Sequence, residues 1–427
     1  MKTNMKRRLL KRTTDGFFET IRVMIEEYRH IFRDPGVLII FLVASLLYPL
    51  MYCSIYKNET LRDVPIAVVD ESNTSSSREL LRKIDATPEL KISARCLSMQ
   101  EARNAFDMRK VHGIVFIPED YSDKINHNTQ ATVSMYSDMS SFLYYRAMLT
   151  ACNYAVMEQG DDIQIERLNS QGVTGESANI AASPLPGTST ILFNEGAGFA
   201  SFLMPAIMIL IIHQTLFFGI NMLAGTTREE NRFHLLIPPG GKRKLHQLIL
   251  GRAATYFSLY VVLSAYILGV IPRLFGLPHI GAFTDIIWFI IPFLLATIFF
   301  SMTVSIFIRN RETGMVVFLF VSLILLFLSG FSWPRSNISA FWIAFSWLFP
   351  STPGIQAYIK VNTMGADLSM ISKEYIGLWI QAGVYFLTTI FVYRWQIAGS
   401  HKRSAGIALQ KLKTMVVRHE SVEKTES

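Results

Sequence analysis

Residues 36–56, GVLIIFLVASLLYPLMYCSIY, contain no charged side chain. That stretch constrains the chain more than any other. About twenty apolar residues in helical form cross the hydrocarbon of a bilayer, where helix satisfies every backbone donor and acceptor from within the segment. Similar runs recur at 196–227, 253–272, 286–308, 313–334 and 375–393, predicting six spans. Composition agrees: 50% of residues are hydrophobic and 17% charged, against roughly 25% charged in soluble domains. Thirty Phe against six Trp suit packed or lipid-facing helices. A secretory signal would have a shorter core and a small-residue cleavage site, and the bulky Tyr52 before Cys53 argues against lipoprotein processing. The stretch therefore reads as a retained first span.

The polar segments decide orientation. Lys6, Arg7, Arg8, Lys11 and Arg12, then Arg228, Arg232, Lys242, Arg243 and Lys244, then Arg309 and Arg311, then Lys402, Arg403, Lys411 and Lys413 all fall on one side of a six-span path. Basic residues collect on the cytoplasmic side, so both termini are expected there. The net charge of +8 arises from these short groups beside apolar runs and forms no continuous nucleic-acid surface. Before the first span, Phe18, Ile21, Ile25, Tyr28 and Phe32 recur at spacings of three and four, giving one apolar stripe on an otherwise charged helix. Such a helix lies in the membrane interface and contacts lipid. Residues 338–349, inside SWPRSNISAFWIAFSWLFPSTPG, are too few to cross, and Trp342 and Trp347 suit the headgroup boundary. This element near 335–352 is expected to be re-entrant or interfacial.

Residues 57–195 form the longest polar section. Strand-like runs at 65–70, 90–94, 111–117 and 131–136 alternate with helical patterns at 75–84, 99–108 and 141–168, predicting an α/β domain on the outer side. A Gly-, Ser- and Pro-rich linker at 169–187 ends it. The fold class is thus an α-helical polytopic membrane protein of six spans with an inserted extracytoplasmic α/β domain. Of three cysteines, Cys96 and Cys152 share this domain, leaving open either a bridge in an oxidising compartment or two buried thiols.

Catalytic signatures are missing from the sequence. PPGGKRK lacks the glycine and Ser/Thr order of a phosphate cradle, the nine histidines show no zinc-peptidase pair, and no Gly-x-Ser-x-Gly occurs. Asp70, Glu71, Glu119 and Asp120 bracket strand ends, where turn and cap roles compete with a carboxylate pair. The runs taken as spans hold no Asp, Glu or Arg in their interiors, which weakens an ion-coupled carrier. His213, Gln214, Asn221 and Gln381 are the candidate substrate-path groups, with interhelical hydrogen bonding as the alternative.

Several segments resemble the membrane subunits of type-2 ATP-binding-cassette exporters that carry a large external domain after the first span. YRHIFRDPGVLI is similar to their interfacial elbow, with Arg33, Asp34 and Pro35 at its corner. VPIAVVDESNTSSSRELLRKIDA, EARNAFDMRKVHGIVFIPEDYS and FLSGFSWPRSNISAFWIAFSWLFPSTPGIQAY resemble their external domain and the segment between their last two spans. TREENRFHLLIPP stands where the family carries a coupling helix, matching through Arg228, Glu229, Glu230, Leu235, Leu236 and Pro239; the Gly-Thr often found before the leucines is replaced by Glu230 and Asn231.

The resemblance implies this division: residues 1–35, basic segment and elbow; 36–56, first span; 57–195, external domain; 196–399, five spans with the coupling loop near 226–246; 400–427, cytoplasmic tail. It implies an exporter permease in a bacterial inner membrane that is not itself an enzyme and binds no cofactor. ATP and Mg would be held by a cytoplasmic ATPase partner. A second permease, identical or related, would complete the path, and a periplasmic adaptor is a further candidate partner. The rival reading is a membrane-anchored assembly or sensing protein whose outer domain binds a partner.

The orientation predicts that a membrane-impermeant thiol reagent added outside intact cells leaves a Thr227→Cys variant unlabelled. Labelling from outside at 227 would invert the assignment.

Overall fold

Five helices are long and apolar enough to cross a bilayer among the described residues: Pro35–Ile55, Phe199–Glu229, Leu245–Leu274, Phe283–Phe307 and Ser372–Gly406. They are called here the first, second, third, fourth and last spans. The computed structural model describes residues 2–426 apart from 186, 188–189, 238–243, 309, 313–315, 317–323 and 332, with side chains from 16 to 406. Half of the expected span at 313–334 lies outside the described residues. Contacts divide the chain into two units, Met1–Lys57 with Phe199–Ser427, and Asn58–Gly198.

In the membrane unit the second span is the centre. Of its most apolar window 83% is buried, against 28% for the last span, so the last span keeps an apolar face free for lipid or another helix. Gly219 lets this centre form: a Cβ there would stand 2.0 Å from the Phe41 ring of the first span. The N-terminal helix Lys2–Arg33 packs along the third span. Its apolar stripe faces away from the protein, with Phe18, Ile25 and Phe32 exposed, while Val23, Glu27 and Ile31 are buried. That is the orientation an interfacial helix requires.

Between 335 and 364 the chain forms a 3-10 turn, Arg335–Asn337, and two α-helices, Ala340–Ser346 and Ser351–Met364. The first has seven residues, too few to cross. The second buries Ile355, Tyr358 and Val361 in the main core. Pro353 and Gly354 disguise it as a turn in the sequence, yet proline is tolerated in the first turn of a helix.

The other unit is a four-stranded sheet, β1 Val64–Asp70, β2 Leu90–Cys96, β3 Gly113–Ile117 and β4 Ser134–Ser137, in the order β2-β1-β3-β4. The first three strands are parallel and β4 is antiparallel. Central β1 is buried on both faces, as its unbroken apolar run requires. Helices Ser75–Asp85 and Phe142–Ser170 cover one face; Met99–Asp107 covers the other. Two short helices, Tyr121–Asn126 and Glu176–Ala182, escape the sequence reading. Asp70 accepts from the Ser77 hydroxyl at 2.7 Å and the Asn73 amide at 3.0 Å, and Asp120 pairs with Lys124 at 2.6 Å. Asp70 thus fills a turn and cap role, and Asp120 an ion pair across one helical turn.

The cysteines are free. Cys96 lies in the core on one face of the sheet and Cys152 in the core on the other, so the bridge left open by the sequence does not form. Burial pushes the Cys152 thiol up to about 12, whereas an unfolded thiol ionises near 8.5. The folded thiol therefore stays protonated where the unfolded one loses its proton, and stability falls as pH rises from about 8.5 toward 12. At pH 8, maleimide should modify Cys152 only after denaturant is added, as counted by intact mass; rapid labelling of the folded protein would contradict its burial.

Candidate functional site

The second span ends where Asn231 takes a left-handed conformation, φ 52°, which asparagine adopts more readily than most residues. The chain turns there into the short helix Phe233–Leu236. This turn is clamped to the last helix. The Ser400 hydroxyl donates to the Asn231 side-chain oxygen at 2.9 Å, the Asn231 amide donates to Ser404 at 3.1 Å, and the His234 backbone N–H donates to Ser400 at 3.0 Å. Phe233 is buried edge-on against Tyr393, centroids 6.3 Å apart.

The residues matched to a coupling helix divide accordingly. Arg228 points inward and donates to the carbonyls of Ile306 and Ile308 at 2.8 Å each, capping the end of the fourth span. A cation there meets carbonyls that have no partner within the helix. Leu236 packs on the main core. Glu229, Glu230 and Leu235 are exposed, Leu235 at 59%, with Glu230 paired to Arg232 at 2.9 Å. Pro239, like Lys242 and Arg243, lies outside the described residues.

The elbow forms the opposite wall. The Asp34 carboxylate caps the first span, accepting from Gly36 at 3.0 Å and Val37 at 3.3 Å, and pairs with Arg311. Pro35 occupies the first helical turn, where its missing N–H costs no hydrogen bond. Arg33 is exposed. Together Glu26, Arg33, Asp34, Glu230, Arg252 and Arg311 help line a cavity of about 750 Å³ between elbow and turn.

Arg252 was not legible as part of a span, because the apolar run starts at Ala253. The helix in fact begins at Leu245 and carries Arg252 at 4% exposure. The run at 253–272 itself holds no Asp, Glu or Arg, but the helix extends before it and buries this charge. Its partner is Glu27 on the N-terminal helix, also 4% exposed, at 3.0 Å. The Tyr256 hydroxyl donates to Glu27, and Arg252 donates to the Tyr393 hydroxyl at 3.2 Å. Gly251 brings the two helices together, since a Cβ there would meet Val23 at 2.7 Å. Thr255 donates to the Met24 carbonyl at 3.2 Å, and Tyr28 and Ser258 share a hydrogen bond at 2.7 Å. The spacing Val23, Glu27, Ile31 is the sequence signal for this packed face.

The four polar groups of the spans each have their own surroundings. His213 is buried between Phe217 and Phe300, and among the described residues neither ring nitrogen has a hydrogen-bond partner. Asn221 donates to its own helix at the Phe217 carbonyl, 2.7 Å. Gln381 donates to the Trp347 carbonyl at 2.5 Å, tying the last span to the segment before it. Gln214 is half-buried. No group of three or more metal-ligating side chains occurs among the described residues.

The family model described as ABC-2 family transporter protein matches residues 35–391. No curated protein matches the chain.

Removing one partner of a buried ion pair strands the other charge, at a cost of about 3–5 kcal/mol. Glu27→Ala should therefore lower the thermal midpoint of the detergent-solubilised protein clearly, and Glu27→Leu combined with Arg252→Met should recover much of the loss. Equal midpoints for Glu27→Ala and the parent would refute the pairing.

Proposed function

Because the chain belongs to the ABC-2 transporter family, we propose that it is the permease subunit of an ATP-binding-cassette exporter, driven by ATP that a separate cytoplasmic ATPase binds with Mg and hydrolyses. The observation that carries this reading is the turn after the second span. Its inner residues, Phe233 and Arg228, are held by the last and fourth spans, while Glu229, Glu230 and Leu235 are presented outward. A rigidly mounted surface with one exposed leucine among charges suits a partner that must push on the bundle. A loop that only joined two spans would need no such mounting.

Transport also needs a path, and the last span leaves an apolar face uncovered, with Ile380, Val384, Leu387 and Phe391 exposed. A second permease, identical or related, would lie against it and form the path between the two chains. His213, Gln214, Asn221 and Gln381 are the polar groups such a path could use. Outward movement of substrate, from the cytoplasm or the inner membrane of a bacterium, follows the type-2 exporters that the chain resembles. A periplasmic adaptor could dock on the sheet-bearing unit. ATP drives such a cycle by binding one state better than the other.

The test is copurification. Coexpressed with its genomic neighbours and extracted in mild detergent, the chain should bring down an ATP-binding-cassette ATPase. Leu235→Asp with Glu230→Arg should reduce recovery by about tenfold, the effect expected of losing a small exposed contact centre. Failure of the unmodified chain to retain any ATPase sinks the exporter reading and favours a membrane-anchored assembly protein.

A further inference from the structure

Two groups of contacts meet at one side chain. The N-terminal helix is fastened to the third span through Glu27 and Arg252, Tyr28 and Ser258, Thr255 and the Met24 carbonyl, and the close approach at Gly251. The turn at 229–236 is fastened to the last span through Asn231, His234, Ser400 and Ser404. Between these groups lies the charged cavity, lined by Arg252 on one side and Leu235 and Leu236 on the other. Tyr393 closes the gap. Its ring packs edge-on against Phe233 of the turn, and its hydroxyl accepts from Arg252 at 3.2 Å, with the guanidinium carbon 5.8 Å from the ring centroid. At 2% exposure it has no room to turn away.

We propose that Tyr393 is the positioning residue that passes movement of the turn after the second span to the Arg252–Glu27 pair and so to the interfacial helix at the membrane surface. The proposal rests on the exporter reading and adds how a push on the turn leaves it. A push on Phe233 displaces the Tyr393 ring, and the ring carries the hydroxyl on which Arg252 is hydrogen-bonded. Arg252 cannot leave that hydroxyl cheaply, because a buried guanidinium needs all its partners. Glu27 follows Arg252 by the same argument. Packed interiors transmit such displacement because they have few voids to absorb it. Spatial contact alone does not establish coupling, so the test measures the coupling itself.

An environment-sensitive fluorophore is placed on an Arg29→Cys variant, exposed on the N-terminal helix, in the chain copurified with its ATPase; the three native thiols are buried and leave the background low. Mg-ATP should shift the emission in this reference complex. Tyr393→Phe keeps the ring on Phe233 and removes only the hydroxyl. It should cut the ATP-dependent shift by about fivefold or more, the scale of ordinary intersite coupling, with copurification and ATP hydrolysis within about twofold of the reference. Glu27→Leu combined with Arg252→Met, which removes the pair without stranding a charge, should do the same, and adding Tyr393→Phe to it should lose no more, as members of one chain of contacts do. A full-sized shift in Tyr393→Phe with hydrolysis intact overturns the relay and leaves the exporter reading standing. A reference complex that holds no ATPase overturns both.

Discussion

Everything in the membrane unit depends on the absence of water around its helices. A polar atom there finds a partner inside the protein or stays unsatisfied. The spans meet this demand locally. Thr215 donates to the Ile211 carbonyl, Thr297 to Phe293 and Ser301 to Thr297, each four residues back along its own helix. Side chains satisfied in this way leave association to close packing, which is how helices hold together where the hydrophobic effect is weak. Gly219 under the Phe41 ring and Gly251 against Val23 are two of the places where that packing is close. A larger residue at either would force apart the helices on which both ends of the bundle are built.

The same demand explains which parts of the chain were legible. Long runs without charge announced the first, second and fourth spans because nothing else tolerates such stretches. The sheet-bearing unit was legible for the opposite reason, since water on its outside preserves the alternation of strand and helix patterns. The strand read at 131–136 is its β4, but that it runs antiparallel was not legible, because direction leaves no mark on four residues. The N-terminal helix was read by the stripe that faces away from the protein, and its packed face was overlooked: Glu27 sits beside Glu26 and looked like one more surface charge. Arg252 was hidden similarly, as a basic residue beside an apolar run resembles an ordinary positive-inside signal.

The candidate site was therefore legible as a place and only partly as residues. The charged opening of the turn, the leucine pair and the elbow corner at Asp34 and Pro35 could be marked from sequence. That Arg228 would turn inward to cap the fourth span could not be, because its partners are backbone carbonyls about eighty residues away with no side-chain signature. The clamp through Ser400 and Ser404 was hidden too, lying in what reads as a polar tail but is the unbroken continuation of the last helix, Ser372–Glu426.

A buried ion pair in such a place calls for a reason, since well-packed apolar residues of the same volume often stabilise at least as well. The N-terminal helix supplies one. It has an apolar stripe for lipid and a second apolar face for the third span, so burial alone would accept several rotations about its axis. A carboxylate at 27 and a guanidinium at 252 accept one. Rotated by a single residue, about 100°, the helix would leave both charges without a partner. The pair with its two tyrosines thus fixes how the helix lies, and a helix fixed in rotation can be turned by its partner, which an apolar contact, free to slip, would not achieve.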